Sequence, residues 1–330
     1  MGTLRFDDAT LQELRGFNRK LARAPRFGLR YRPLARLAQG LLRLSQAGAD
    51  RRLARNGIRA EDRRIAGGVR VRILRPGNGR VRALVLDIHG GGWVLGNARM
   101  DDKLNAATIE ACEVAVVSVD YRLALDTPLA GLMDDCLAAA RWLLEDGLPE
   151  YRGLPVFIVG ESAGGHLAAA TLLRLKAWPG LLARIAGTVL YYGVYDFAGT
   201  PSVRAAGPAT LVLDGPGMLP SLRHLTPGLS DAERRRAPLS PLYGDLAGLP
   251  PALLFAGEID PLRDDTITMA ARWRAAAAGA DDDAVELQLL PDAPHGIIHF
   301  PVRMAAQVTA HSHAWMRARL DALQRTPLSP

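Results

Sequence analysis

The chain has little cysteine, almost no lysine and no long apolar run. Cys112 and Cys136 are the only cysteines among 330 residues. Two cannot build a disulfide framework, and no CxxC or Cys/His spacing marks a metal site. Both fall in segments that read as helical, where buried free thiols are expected. No window reaches the roughly 18 uncharged apolar residues that a membrane span requires. Near the start, Asp7 and Asp8 stand where a signal peptide needs uninterrupted apolar sequence, so a cytoplasmic address is expected.

Lysine occurs only at Lys20, Lys103 and Lys176, so arginine carries the formal net charge of +7. Many arginines precede position 83, among them Arg51, Arg52, Arg55, Arg59, Arg63 and Arg64, interleaved with Asp50, Glu61 and Asp62. They match no nucleic-acid motif and read as a solvated helical face. The stretch from Leu34 to Leu44 is amphipathic and basic. Packing against the protein is the expected role for it, with contact to anionic lipid the rival.

What is present is an ordinary globular composition, 48% apolar, which excludes disorder. The length suits a main domain of roughly 250 residues with a smaller appended element. Helical spacing runs from residue 8 to about 56, broken at Pro25 and Pro33. The period then changes, and Val69 to Ile73 alternates like a strand with one wet face. Six short apolar runs follow: Ala83 to Ile88, Val114 to Val119, Val156 to Val159, Thr188 to Tyr192, Ala252 to Phe255 and Val285 to Leu290. Such runs suit strands buried on both faces. Helical patterns at Leu132–Leu144, Ala163–Leu175 and Asp264–Ala278 alternate with them, which predicts a mostly parallel, doubly wound α/β sheet. Residues 197–248 interrupt this rhythm with seven prolines and read as a functional insertion.

The sharpest motif is Gly160-Glu161-Ser162-Ala163-Gly164-Gly165, between an apolar run and an Ala/Leu-rich helical pattern. That is the strand–turn–helix setting of a G-x-S-x-G nucleophile elbow. Its glycines keep the tight turn free of side chains, and the helix start favours developing negative charge. A second motif, His89-Gly90-Gly91-Gly92-Trp93, follows the run that ends at Ile88. Consecutive glycines there can turn backbone N–H groups toward an oxyanion, with His89 and Gly90 shaping the loop. A phosphate loop would need a G-K-[ST] ending or GxGxxG spacing, and neither is present.

A serine nucleophile needs a base oriented by an acid, in the chain order Ser, acid, His. Asp260 stands just past the run Ala252 to Phe255, and His295 just past Val285 to Leu290. Glu258 is the weaker rival acid, and Asp264 and Asp265 read as first-turn acids of the next helix. His166, His224, His311 and His313 lie in helices or the insertion. His299 follows His295 by four residues, but the pair lacks an H-E-x-x-H pattern, so no metal role is expected for it.

With Asp120-Tyr-Arg-Leu-Ala124 and Asp260-Pro-Leu-Arg-Asp264 added, five ordered motifs between about residues 70 and 300 make the chain resemble the hormone-sensitive-lipase family of microbial esterases. The resemblance implies an α/β-hydrolase fold with a helical cap. It also implies a triad of Ser162, Asp260 and His295, and oxyanion donors at Gly91, Gly92 and Ala163. No metal or organic cofactor would be needed. The substrate would be a small-molecule ester of short to medium acyl length, and pairing as a homodimer would be common. Domain boundaries follow as a cap part at 1–60, a core at 61–196, a cap insertion at 197–248 and the rest of the core at 249–330. Trp93 and Glu161 would contribute to the pocket. Four positions depart from the family pattern: Leu125-Asp126 replaces Pro-Glu, Glu161 replaces Asp, and Ile297 replaces an aromatic. They bear on pocket shape. Amidase, lactonase or deacetylase chemistry would use the same triad. A non-catalytic receptor on this fold would lack the histidine that is present at 295.

Overall fold

The computed structural model describes residues 2–28, 32–278 and 284–325. Its strands are β1 (Ile58–Arg64), β2 (Arg70–Pro76), β3 (Ala83–Ile88), β4 (Val114–Asp120), β5 (Val156–Glu161), β6 (Ile185–Tyr191), β7 (Ala252–Gly257) and β8 (Val285–Leu290). They form one sheet in the order β1-β2-β4-β3-β5-β6-β7-β8. β2 runs antiparallel to β1 and to β4, and the remaining neighbours are parallel.

Side chains alternate across each strand, which divides the apolar runs between two cores. Along β3, Leu84, Leu86 and Ile88 enter one core with Leu132, Leu167 and Trp273, from the helices Leu129–Leu144, Ala163–Leu175 and Arg263–Ala277. Ala83 and Val85 enter the other with Ile109, Val308 and Trp315, from the helices Asp102–Cys112 and Arg303–Arg325. A sheet covered on both faces explains why its inner strands read as nearly continuous apolar runs. Cys112 and Cys136 are buried free thiols. No helix among the described residues is long and apolar enough to cross a membrane.

Two expectations need correction. Arg59, Glu61, Asp62, Arg63 and Arg64 belong to no helix: they form β1, the outer strand of the sheet. Charges on an edge strand discourage pairing with other chains, and they hide the strand from an apolar-pattern reading. Nor is the charged face of β2 wet throughout: Arg70 is exposed, but Arg72 is not. Arg72 is 1% exposed and binds Asp102 at 2.8 Å, Asp62 at 3.0 Å and Asp50 at 2.5 Å. Three carboxylates gathered from separate elements make its burial tolerable.

The loops beyond β6 and β7 are tied together by Asp265. Its carboxylate accepts from Tyr195 N at 2.6 Å, Asp196 N at 2.9 Å and the Thr200 hydroxyl at 2.5 Å. Asp265 therefore does more than complement the start of its helix. Burial pushes its carboxyl up to about 7, against the lowering effect of those three donors, and the neighbouring Asp196 adds to the rise. The folded state thus holds this proton more tightly than the unfolded chain, where an Asp titrates near ~3.9. The resulting stabilisation is complete below that value and is lost as pH rises through about 7. Melting temperature should fall over that window. Asp265→Asn, less stable at every pH, should show a shallower fall, and an unchanged slope would refute the assignment.

Candidate active site

β5 delivers Ser162 into a sharp turn with φ 54° and ψ −118° before the helix Ala163–Leu175 begins. Such a conformation is strained for a residue with a side chain and persists only where its surroundings impose it. Here the Ser162 N–H is given to Tyr191 O at 2.9 Å. The flanking glycines are required by contact: a Cβ on Gly164 would lie 1.8 Å from Ile88 O, and one on Gly160 would lie 2.5 Å from Gly164 O.

Two loops from the same rim of the sheet complete the arrangement. His295, beyond β8, sets Nε2 at 2.9 Å from Ser162 Oγ and Nδ1 at 2.8 Å from Asp260 Oδ2. Asp260, beyond β7, also accepts from Leu262 N through Oδ1 at 2.8 Å. Because the carboxylate accepts at Nδ1, that nitrogen carries the proton, and Nε2 is left to accept from the serine hydroxyl. Tyr192 meets the imidazole edge-on at 4.7 Å. Glu258, the rival acid, points to solvent.

The glycine loop after β3 faces the same hydroxyl. Tyr121 OH donates to His89 O at 2.8 Å and Gly90 O at 3.0 Å, and its ring stacks on the His89 imidazole at 4.1 Å. Gly91 adopts φ 92°, and a Cβ there would lie 2.1 Å from Leu95 O. Among the described residues, the N–H groups of Gly91, Gly92 and Ala163 are given to no protein acceptor. Trp93 is buried and donates Nε1–H to His166 Nδ1 at 3.1 Å, while His166 Nε2 meets Leu239 O at 2.9 Å. Burial pulls His166 down to about 4, so it is neutral and serves packing.

Glu161 is the neighbour whose importance the sequence understated. Its Oε1 accepts from Gly90 N at 2.8 Å, joining the serine turn to the glycine loop. The same oxygen lies 3.6 Å from His299 Nε2. Burial raises the Glu161 carboxyl, but the His299 imidazolium outweighs it and holds the group below its ordinary value. Conversely, burial lowers His299, and Glu161 more than reverses this, raising it to about 9. His299 therefore makes no helical pair with His295. The short 3-10 turn Ile297–His299 swings it toward Glu161 instead. Asp101 completes this group. Burial lifts its carboxyl well above the ordinary range, and no pattern in the sequence pointed to it.

A cavity of about 330 Å³ opens above Ser162 and His295. Its walls are mostly apolar, from Phe27, Trp93, Leu95, Val194, Met218 and Leu222. Phe27 and the segment Val212–Asp214 meet at its rim, where Phe27 N donates to Val212 O at 2.6 Å and Asp214 N to Phe27 O at 2.8 Å. Three larger surface clefts, near Arg43 and Arg72, near Arg36 and Asp126 and near Leu53 and Lys103, have charged side chains in their walls and do not include Ser162.

Sheet order, serine turn and glycine loop together define an α/β hydrolase, and comparison with known proteins agrees. A family model described as alpha/beta hydrolase fold matches residues 85–299. The carboxylesterase NlhH of Mycobacterium tuberculosis is 34% identical over 247 residues, covering 72% of this chain and 74% of NlhH. The carboxylic ester hydrolase LipN of the same organism is 35% identical over 246 residues, covering 71% of this chain and 62% of LipN. The crystal structure of an esterase from the bacterial hormone-sensitive lipase family superposes with a TM-score of 0.74 at 28% identity, covering 96% of this chain and all of that one. The chain belongs to the α/β-hydrolase family, in its hormone-sensitive-lipase group.

Proposed function

We propose that the chain is a serine carboxylesterase acting on small apolar esters. The observation that carries this reading is the continuous relay from Asp260 through His295 to Ser162 Oγ, with both contacts at hydrogen-bond length. In the cycle, His295 Nε2 takes the serine proton as Oγ attacks the ester carbonyl, and Asp260 holds the tautomer and steadies the imidazolium. The carbonyl oxygen becomes an oxyanion beside the unspent N–H groups of Gly91, Gly92 and Ala163. His295 then protonates the departing alcohol. Water, deprotonated by the same imidazole, attacks the acyl-enzyme and releases the acid. No cofactor is required at any step.

The pocket gives the substrate class. At about 330 Å³ it lies near the low end of the roughly 300–1,000 Å³ common for ligand sites. Its apolar walls suit short to medium acyl chains without charge. Residues 1–60 and 197–248, which meet where Phe27 joins Val212–Asp214, act as the cap that closes it. The discriminating experiment is kcat/KM over p-nitrophenyl esters of increasing acyl length, with matched amides and lactones. Acetate to hexanoate should be turned over and palmitate should not. A preference for palmitate, or for the amides, would sink this reading.

A further inference from the structure

Behind the Ser162 hydroxyl, buried acids outnumber the bases that could neutralise them. Asp87, Asp101 and Glu161 share the region with His299, whose imidazolium they favour, and with His313, which burial lowers to about 4. Asp87 is satisfied by Asn105 Nδ2 at 2.8 Å and the Ser118 hydroxyl at 2.7 Å. Asp101 is not: the residue is 4% exposed, and its Oδ1 is buried with no hydrogen-bond partner. One ligand-type atom each from Asp101, Glu161 and His299 lies within 4.8 Å of the others.

We propose that Asp101, Glu161 and His299 form an accessory binding site for a divalent transition-metal ion of the Zn²⁺ or Co²⁺ kind, and that its occupation slows turnover. Two carboxylates with one imidazole suit these metals, whereas Ca²⁺ would need about six or more oxygens. Zinc-to-ligand distances near ~2.0–2.2 Å require the three side chains to draw together, chiefly by torsion of Glu161, the longest of the three, and of the part-exposed His299. Beside Asp101 and Glu161 lies a cavity of about 60 Å³, also lined by Asp87 and Asn105. It has room for the waters that would complete the coordination shell. On the opposite side, Glu161, His299 and Met100 line the substrate pocket, and the His299 side chain is 31% exposed. That gives the ion a way in.

The inhibitory effect has a structural route. Glu161 Oε1 holds Gly90 N, and Gly90 leads directly into Gly91 and Gly92. A metal that draws Glu161 away loosens this tie. The effect on turnover rests on the esterase reading above, whereas binding itself does not.

The test begins with protein freed of metal by dialysis against EDTA and titrated with Co²⁺. A visible absorption spectrum saturating at one ion per chain is expected, with Zn²⁺ abolishing it by displacement. Zn²⁺ should slow hydrolysis of p-nitrophenyl butyrate, and EDTA should restore the rate. Asp101→Asn, which keeps the side-chain shape, should retain its metal-free turnover while binding Co²⁺ at least about tenfold more weakly. Its sensitivity to Zn²⁺ should fall in step. His299→Gln, checked for fold by circular dichroism, should lose the Co²⁺ spectrum outright. Absence of a Co²⁺ spectrum, or equal binding by wild type and both variants, overturns the site. A spectrum lost in the variants of a protein without esterase activity would uphold the site and overturn the functional reading instead.

Discussion

Ser162→Ala is expected to lower kcat by about 10⁴-fold or more toward p-nitrophenyl butyrate while the fold survives. The size follows from what the hydroxyl does. Without Oγ the acyl group has nothing to bond to, and the remaining groups can only assist direct attack by water. Oxyanion donors and pocket binding would survive, which is why a residual rate above the uncatalysed one should persist. Structurally the change is mild. Ser162 keeps its strained backbone because Gly160, Gly164 and the bond to Tyr191 O fix the turn, and alanine needs no more room than serine. An inactive variant with a wild-type melting curve is therefore the expected result. Labelling supplies an independent readout: a fluorophosphonate should modify wild type at Ser162 and leave the alanine variant untouched. Turnover close to wild type in Ser162→Ala would remove the nucleophile assignment entirely.

The route from sequence to this site was uneven, for physical reasons. β3 to β7 were readable because strands buried on both faces are mostly apolar, whereas β8, an edge strand with Glu286 and Gln288, showed only through Val285 and its leucines; the glycines around Ser162 announced a turn with no space for side chains. Ser162, Asp260 and His295 could each be placed by one local feature, a loop immediately past an apolar run. What local features do not carry is the sum of contacts from distant elements. β1 is a charged edge strand with no apolar run to display. Arg72 reads as a solvent-facing residue until Asp50, Asp62 and Asp102 close over it. Likewise the association of Asp101, Glu161 and His299 spans nearly 200 residues of chain. Spacing alone suggested a relation between His299 and His295, and the 3-10 turn at Ile297–His299 undoes it.

Asp260→Asn should be nearly as damaging as loss of the nucleophile, with kcat falling by about 10⁴-fold, although no atom need move. In the wild type, Asp260 Oδ2 accepts from His295 Nδ1 at 2.8 Å while Oδ1 accepts from Leu262 N at 2.8 Å. An asparagine in this place has one acceptor and one donor. Leu262 N–H can only donate, so it claims the amide oxygen and turns the amide NH₂ toward the imidazole. Facing a donor, Nδ1 must become the acceptor, and the ring proton moves to Nε2. That nitrogen then presents a hydrogen to Ser162 Oγ and can no longer take one. The fault is thus a tautomer held the wrong way round, not a missing group. Two further measurements separate it from simple damage. The Michaelis constant should change little, because Asp260 is buried behind His295 and away from the acyl pocket. Activity should also recover partly at alkaline pH, where hydroxide can remove the serine proton without the imidazole. A variant that kept kcat and lost only binding would show that the carboxylate at 260 has a different role.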